Sequence, residues 1–212
     1  MTLIANGSRN AGFSPVHELL HSRPGPLQGT AVRPRNSRKY CCVLSGERAM
    51  SVTPREMRDA MGCFATGVTV ITALDGAGKP VGLTANSFNS VSLEPPLVLF
   101  SLDCRANCAE AFRVGGAFTV NILGSAQEAQ SNHFASKADD KFADIPFEWI
   151  AGDNGCPVLS GAIASFECQA EAVHEGGDHW IIVGRVTRLM RTEDTAPLLF
   201  FRGRYAALGD SA

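Results

Sequence analysis

"AIASFECQAEAVHEGGDHWIIVGRVTRLMR", residues 162 to 191, decides the fold. Its halves, residues 162 to 174 and 179 to 191, interleave apolar and polar residues over 13 positions each, and both read as long strands. Gly176 and Gly177 between them let the chain reverse within a few residues. The pattern predicts a long antiparallel hairpin with His174 as the last residue of its first strand. Its tip leaves three readings open: a merely polar turn, a metal pair of His174 and His179, or part of a functional site. No third ligand with recognisable spacing accompanies the histidines, so no metal site is expected.

The segments before the hairpin continue the β pattern. "GVTVITAL" (67 to 74) alternates, "DGAGKP" (75 to 80) is a turn cluster, and "VGLTANSFNSVS" (81 to 92) is a polar-decorated strand or strand-loop; together they predict a hairpin. "PPLVLFSL" (95 to 102) is a continuous apolar run, which predicts a strand buried on both faces. "RANCAEAFRVGG" (105 to 116) has a helical composition ended by two glycines, and "AFTVNIL" (117 to 123) is another strand. Thr53 and Glu56, with Pro54 in the first helical position, form one capping box, and Ser125 and Glu128 form a second. Residues 135 to 160 are loop-rich, and "PLLFFRGRYAAL" (197 to 208) closes the pattern. Six or more strands with two or three short helices predict a mainly β fold, an antiparallel β-barrel with short helices.

Residues 1 to 49 differ in character, being basic, rich in Pro, Gly and Ser, and without sustained periodicity. Such a segment has too little apolar surface to offset the entropy of ordering. A disordered N-terminal extension is expected there, with the folded domain spanning residues 50 to 212 and Met50 an alternative start.

At 212 residues, 45% apolar, with a formal net charge of -2, the chain has no basic excess to draw nucleic acid or an anionic membrane. A small-molecule ligand is the expectation. The seven cysteines include no C-x-x-C spacing, so neither a zinc site nor a disulfide framework is indicated. Cys63, Cys156 and Cys168 are expected to be small buried hydrophobes, and a cytoplasmic location follows from thiol usage. His133 is expected at the surface. There is no G-x-G-x-x-G, phosphate loop, G-x-S-x-G or H-E-x-x-H, which leaves Rossmann, P-loop, serine hydrolase and zincin readings without a motif.

The stretch richest in chemistry is "GLTANSFNSVSLEPPLVLFSLD", residues 82 to 103. Thr84, Asn86, Ser87, Asn89, Ser90 and Ser92 supply hydroxyl, amide and backbone donors beside little charge. Such a surface suits a planar heterocycle with many hydrogen-bonding edges; an exposed Ser/Asn-rich strand face is the alternative.

"FATGVTVITA", "GLTANSFNSVSLEPPLVLFSLD", "FTVNIL", "KFADIPFEW" and "GDHWIIVGRV" occur in this order. Together they resemble the short-chain NAD(P)H:flavin oxidoreductases, the reductase partners of two-component flavin-dependent monooxygenases, from about Arg55 to Tyr205. The resemblance implies an FMN-binding split β-barrel, antiparallel and Greek-key-like, usually a homodimer, that binds FMN or FAD and takes NADH or NADPH as co-substrate. By position, Thr66, Gly67, Val68 and Thr69, with Thr84, Ala85, Asn86, Ser87, Phe88, Asn89 and Ser90, would line the isoalloxazine and ribityl chain. Ser101 and the "DCRANC" turn (103 to 108), especially Ala106 and Asn107, would lie near the phosphate or the ring, although the family often has Ser or Thr where this chain has Ala106, Asn107 and Cys108. Lys141 and Phe142 resemble the loop that helps cover the nucleotide. Gly177, Asp178 and His179 resemble the nicotinamide-side motif, with His179 as the catalytic candidate, and the C-terminal strand would bring Phe201 towards the nicotinamide. An exposed hairpin histidine without a role is the alternative for His179. The implied activity is hydride transfer to flavin N5, with reduced flavin released to a separate monooxygenase. Two other readings are a flavin-bound oxidoreductase passing electrons to another acceptor and a non-enzymatic flavin-binding module.

Overall fold

The computed structural model describes residues 52–143, 145–192 and 195–209. The extension expected over residues 1 to 49 lies outside the described residues. In chain order the elements are α1 (Pro54–Met61), β1 (Thr66–Gly67), β2 (Thr69–Leu74), β3 (Pro80–Ala85), β4 (Asn89–Leu93), β5 (Pro96–Asp103), β6 (Ala117–Ile122), α2 (Glu128–Ala135), β7 (Trp149–Ala151), β8 (Pro157–Leu159), β9 (Ala164–Gly176), β10 (His179–Arg191), β11 (Leu199–Phe201) and β12 (Arg204–Ala206). Every strand pairing is antiparallel.

The long hairpin forms as expected, with β9 and β10 each running for 13 residues. Its reversal sits one residue later than the glycine pair suggests. Gly176 pairs with His179, so Gly177 and Asp178 are the two turn residues, and Gly177 has φ 75°. A glycine with positive φ in the first central position is the II′ pattern, whose twist matches that of the flanking strands. His174 is therefore not the strand's last residue; it pairs with Ile181 inside the ladder.

Around this hairpin a seven-stranded sheet has the order β3-β2-β6-β9-β10-β5-β4. The stretch 81 to 92 is not one strand. It is divided between the sheet's two ends, β3 pairing with β2 and β4 with β5, and residues 86–88 cross from one end to the other. The run 67 to 74 is also interrupted. Val68 donates to Leu198 O at 3.2 Å and accepts from Leu123 N at 2.9 Å, which turns β1 away into a small sheet of order β1-β11-β12.

The barrel side of β5 carries Val98, Phe100 and Leu102, all buried, while Leu97, Leu99 and Ser101 between them are only half-buried. This strand alternates rather than being buried on both faces. Phe100, Phe112 and Phe118 meet edge to face, with centroids 5.4, 5.5 and 6.1 Å apart, a geometry aromatic quadrupoles favour. Ile71, Val120 and Ile182 complete this core. A second cluster, with Val68, Val70, Leu123, Phe134, Leu159 and Leu198, lies under α2.

The first capping box is present: Glu56 N donates to Thr53 Oγ1 and Thr53 N donates to Glu56 Oε2. The second is not. Helix α2 starts after Gln127, whose Oε1 accepts from Gly124 N at 3.0 Å and whose Nε2 donates to Ser160 O at 2.9 Å. The helix expected over 105 to 116 shrinks to one 3-10 turn, Ala109–Phe112, because Cys108 caps nothing and Arg113 is extended. Burial of Ala109 and Phe112 in the aromatic core outweighs the helical composition. Cys156 and Cys168 are buried as expected, but Cys63 is exposed, just beyond an α1 that buries no residue.

Candidate functional site

A cleft of about 750 Å³ opens between β3, the turn after β5 and the segment following α2. This volume is in the range that encloses a nucleotide-sized ligand. Val81 and Leu83 on one face of β3, with Ala106, Cys108 and Ala111 of the turn, pack on the aromatic core and give the cleft an apolar floor. Its rim is charged, with Asp75, Asp103, Glu110 and Asp139 set among Lys79, Arg105, Lys137 and Lys141. Charge is balanced, so the rim orients a polar ligand without concentrating one sign.

The far wall is fastened to β3 by two lysines. Lys79 Nζ lies 2.7 Å from Asp140 Oδ2, and this pairing raises the lysine and lowers the carboxyl from their ordinary values. Lys141 Nζ donates to Phe134 O at 2.7 Å and Gly82 O at 3.2 Å. Burial pulls the Lys141 ammonium down from its usual range, since the charged form loses water. Asn107 Nδ2 reaches across to Asp139 Oδ1 at 3.4 Å.

At the other end, Asp103 accepts from the Arg105 backbone at 2.8 Å and from its guanidinium at 2.9 and 3.1 Å. The guanidinium holds the carboxyl far below the usual carboxylate range. Asp103 is also the ladder partner of His179, and Cys104 N donates to Asp178 O at 3.0 Å. The hairpin turn is thereby moored to the turn that floors the cleft. His179 Nδ1 lies 2.7 Å from Asp178 Oδ1, and this contact lowers the Asp178 carboxyl.

The sequence-predicted residues divide into groups. Ala106, Asn107 and Lys141 line the cleft, and Gly177, Asp178 and His179 adjoin it through Asp103 and Cys104. Ser87 and Ser101 bond to each other: Ser101 N donates to Ser87 Oγ at 2.9 Å and Ser87 Oγ donates to Ser101 O at 3.2 Å. Thr69 Oγ1 donates to Ala85 O at 2.7 Å and Thr84 Oγ1 to Ser131 O at 2.6 Å, so these hydroxyls serve the fold. Val68 is buried, Gly67 is exposed beside it, and Thr66 Oγ1 is buried without a hydrogen-bond partner among the described residues. Asn86 is exposed; Phe88 packs on Phe166 at 5.6 Å. Asn89 and Ser90 lie exposed on β4, where Asn89 Oδ1 accepts from Ser90 N. Phe142 points into the second core, 5.2 Å from Phe134 and 5.8 Å from Trp149, and does not line the cleft.

His133 is not a free surface residue. It is half-buried, with Nε2 2.8 Å from Lys141 O and edge contacts to Phe134 and Phe147 at 5.4 and 5.5 Å. Sequence reasoning missed Val81, Leu83 and Lys137, while Asp103 and Arg105 belong to the "DCRANC" turn that the resemblance set near the phosphate or the ring. The alternation of Val81 and Leu83 was the available signal for the floor. No group of three or more His, Cys, Asp or Glu side chains able to hold a metal ion occurs among the described residues.

An apolar floor and a charged rim fit a flat, ring-bearing ligand with polar substituents. Residues 61–209 match the model of the family described as flavin reductase like domain. The chain belongs to that family.

Among its relatives, the flavin-dependent monooxygenase reductase subunit HsaB of Rhodococcus jostii (strain RHA1) is 42% identical over 160 residues, spanning 76% of this chain and 80% of that protein. The stachydrine N-demethylase reductase subunit Stc3 of Rhizobium meliloti (strain 1021) is 45% identical over 154 residues, 73% of this chain and 66% of that one. Among solved structures, the NADH:FAD oxidoreductase SgcE6 of Streptomyces globisporus C-1027, in complex with NAD and FAD fragments, superposes with a TM-score of 0.70 at 37% identity, covering 77% of this chain and 99% of that one. The split-barrel reading of the antiparallel sheet agrees with these likenesses. No helix among the described residues is long and apolar enough to cross a membrane.

Proposed function

We infer that this protein is a flavin reductase that oxidises NADH or NADPH, reduces free FMN or FAD, and releases the reduced flavin to a separate monooxygenase. The observation that carries the reading is the cleft with its apolar floor of Val81, Leu83 and Ala106, moored to the Gly177–His179 turn through Cys104 N and Asp178 O. The nicotinamide C4 hydride and the flavin N5 acceptor supply the chemistry themselves. The chain's task is to hold two rings face to face and keep water out. Val81, Leu83 and Ala106 offer a surface on which a ring lies flat. His179, oriented by Asp178, positions the second ring at the mouth. Arg105 and Lys137 stand at the rim where phosphates of either nucleotide would meet solvent.

The β4 edge carries Val91 and Leu93, 48% and 89% exposed. Apolar side chains on an open edge strand call for a cover, and a second copy of the chain provides it, making the enzyme a homodimer. Exposed thiols at Cys63 and Cys104 suit a reducing cytoplasm, and the folded domain begins near Met50.

Steady-state oxidation of NADH and of NADPH, followed by nicotinamide absorbance with riboflavin, FMN and FAD in turn, tests the assignment. Turnover with at least one pair supports it, and no turnover with any pair refutes it. Gel filtration after turnover then separates released flavin from flavin kept on the protein; retention would favour electron passage to another acceptor.

A further inference from the structure

The cleft wall that follows α2 is a loop with a firm base and a lightly held tip. Phe134 and Phe142 meet in the second core with ring centroids 5.2 Å apart, so the chain leaves and re-enters the core at one point. His133 Nε2 lies 2.8 Å from Lys141 O, and Lys141 Nζ donates to Phe134 O at 2.7 Å and to Gly82 O of β3 at 3.2 Å, which fastens the base again. Residues 137–139 are exposed and line the cleft. They make no backbone–backbone hydrogen bond among the described residues.

Two side-chain ties run from this tip to the other two walls. Asp140 Oδ2 lies 2.7 Å from Nζ of Lys79, just before β3, and Asp139 Oδ1 accepts from Asn107 Nδ2, in the turn after β5, at 3.4 Å. The second is long for a hydrogen bond, so the ion pair is the stronger tie. Its members are aimed by their surroundings. Asp140 Oδ1 accepts from Phe142 N and Ala143 N, each at 3.0 Å, and Lys79 N donates to Asp75 Oδ1 at 2.8 Å. Both side chains still face solvent, 53% and 34% exposed. An exposed pair biases an equilibrium by no more than about fivefold, and salt screens it. That strength suits a contact that breaks in every turnover, as the motions that release product do.

We propose that the Lys79–Asp140 ion pair is a latch that holds residues 137–139 against the cleft and sets the rate at which flavin enters and leaves it. The proposal rests on the flavin reductase reading, in which reduced flavin departs for a separate monooxygenase. Opening the latch frees the tip while Lys141, His133 and the Phe134–Phe142 contact keep the base in place. A direct contact between Lys79 and a nucleotide phosphate is the rival role, and it predicts the opposite for Asp140: removing that charge would free the lysine for the ligand and slow release.

The test compares wild type, Lys79→Gln, Lys79→Arg, Asp140→Asn and the double variant Lys79→Gln/Asp140→Asn. Asparagine keeps an oxygen for the amides of Phe142 and Ala143. FMN entry is followed by stopped-flow quenching of flavin fluorescence and FMN release by its recovery on rapid dilution, each at low and high ionic strength. At low ionic strength release becomes about three- to fivefold faster in Lys79→Gln and in Asp140→Asn, no faster still in the double variant, and unchanged in Lys79→Arg. Entry accelerates in step, leaving Kd within about twofold of wild type, because a gate scales both rates alike. High salt brings the wild-type rates up to those of the variants. Unchanged release in Lys79→Gln overturns the proposal, as do slower release in Asp140→Asn, additive effects in the double variant, or faster release with entry unchanged. A wild-type chain that neither binds nor reduces any flavin brings down the functional reading and the latch with it, whereas flavin binding indifferent to salt and to both substitutions sinks the latch alone.

Discussion

Gly184→Ala is the most informative single change in the barrel. Gly184 lies in β10 between Val98 of β5 and Ala170 of β9, at an irregularity in the β9 ladder. A Cβ at this position would stand 2.3 Å from Phe118 Cζ and 2.9 Å from its Cε1, with Cys168 Cβ at 3.3 Å. Carbon atoms pack at roughly 3.5–4.0 Å, so the Phe118 ring must retreat by more than about 1 Å. It has nowhere open to go. Phe118 is fully buried and sits edge to face with Phe100 and Phe112. Overpacking of this kind costs about 1–3 kcal/mol, and the rigidity of the ring cluster argues for the top of that range. Replacing glycine in a strand returns about 0.5–1 kcal/mol of backbone entropy. The expected net loss is about 2 kcal/mol, or roughly 4–8 °C in Tm for a domain of this size. Phe112 belongs to the turn whose Ala106, Cys108 and Ala111 floor the cleft, so flavin affinity should fall with stability. Urea unfolding of the single variants and of Gly184→Ala/Phe118→Leu closes the cycle. Trimming the ring should recover at least about 1 kcal/mol of coupling, as contacting residues do. Additivity within about 0.5 kcal/mol would refute the clash as the cause.

His179→Ala should raise the KM for the nicotinamide nucleotide several-fold more than that for flavin; an unchanged nucleotide dependence in steady-state assays would return His179 to a surface residue. Arg202 is the described non-glycine residue with positive φ, at 49°, and its guanidinium lies 5.2 Å from the Phe201 ring centroid. Arg202→Gly should relieve about 1–2 kcal/mol of left-handed strain against about 0.5–1 kcal/mol of lost cation–π attraction and about 0.5–1 kcal/mol of added backbone entropy cost, so the denaturation midpoint should stay close to wild type. Burial pushes the Cys156 thiol up to about 11 and the Cys168 thiol up to about 12. Their folded pKa values exceed the unfolded one, so the stability they contribute is complete below the unfolded pKa and is lost as pH rises from about 9 towards 12. A Cys156→Ala/Cys168→Ala variant should show a shallower alkaline decline in unfolding free energy, and an identical slope would contradict it.

What the chain discloses before folding depends on how far apart the interacting residues lie. The β9–β10 hairpin is legible because both strands and their turn sit within 30 consecutive residues and their pairing is local. The α1 cap is legible for the same reason. The interruption at Val68 is not, because alternation runs through it unbroken and its cause is hydrogen bonding to Leu123 and Leu198, far along the chain. Residues 105 to 112 look helical because propensity is summed locally, whereas the burial of Phe112 against Phe100 and Phe118 that decides their shape is not local. The same holds for Ser125 and Glu128, whose capping pattern lost to the side chain of Gln127 bonded to Gly124 and Ser160.

The candidate site shows this limit most sharply. The donor-rich stretch around Thr84 to Ser90 is legible as a place where polar groups converge, but none of its residues lines the cleft. Which of those groups face a ligand was not legible. A hydroxyl has the same letter whether it meets a heterocycle or a neighbour's carbonyl, and here the carbonyls of Ala85, Ser131 and Ser101 claim Thr69, Thr84 and Ser87 from 16, 47 and 14 residues away. Each claimed hydroxyl stiffens the backbone that carries it. The donors left over are the peptide groups of 86–88, which composition never counts because every residue has them.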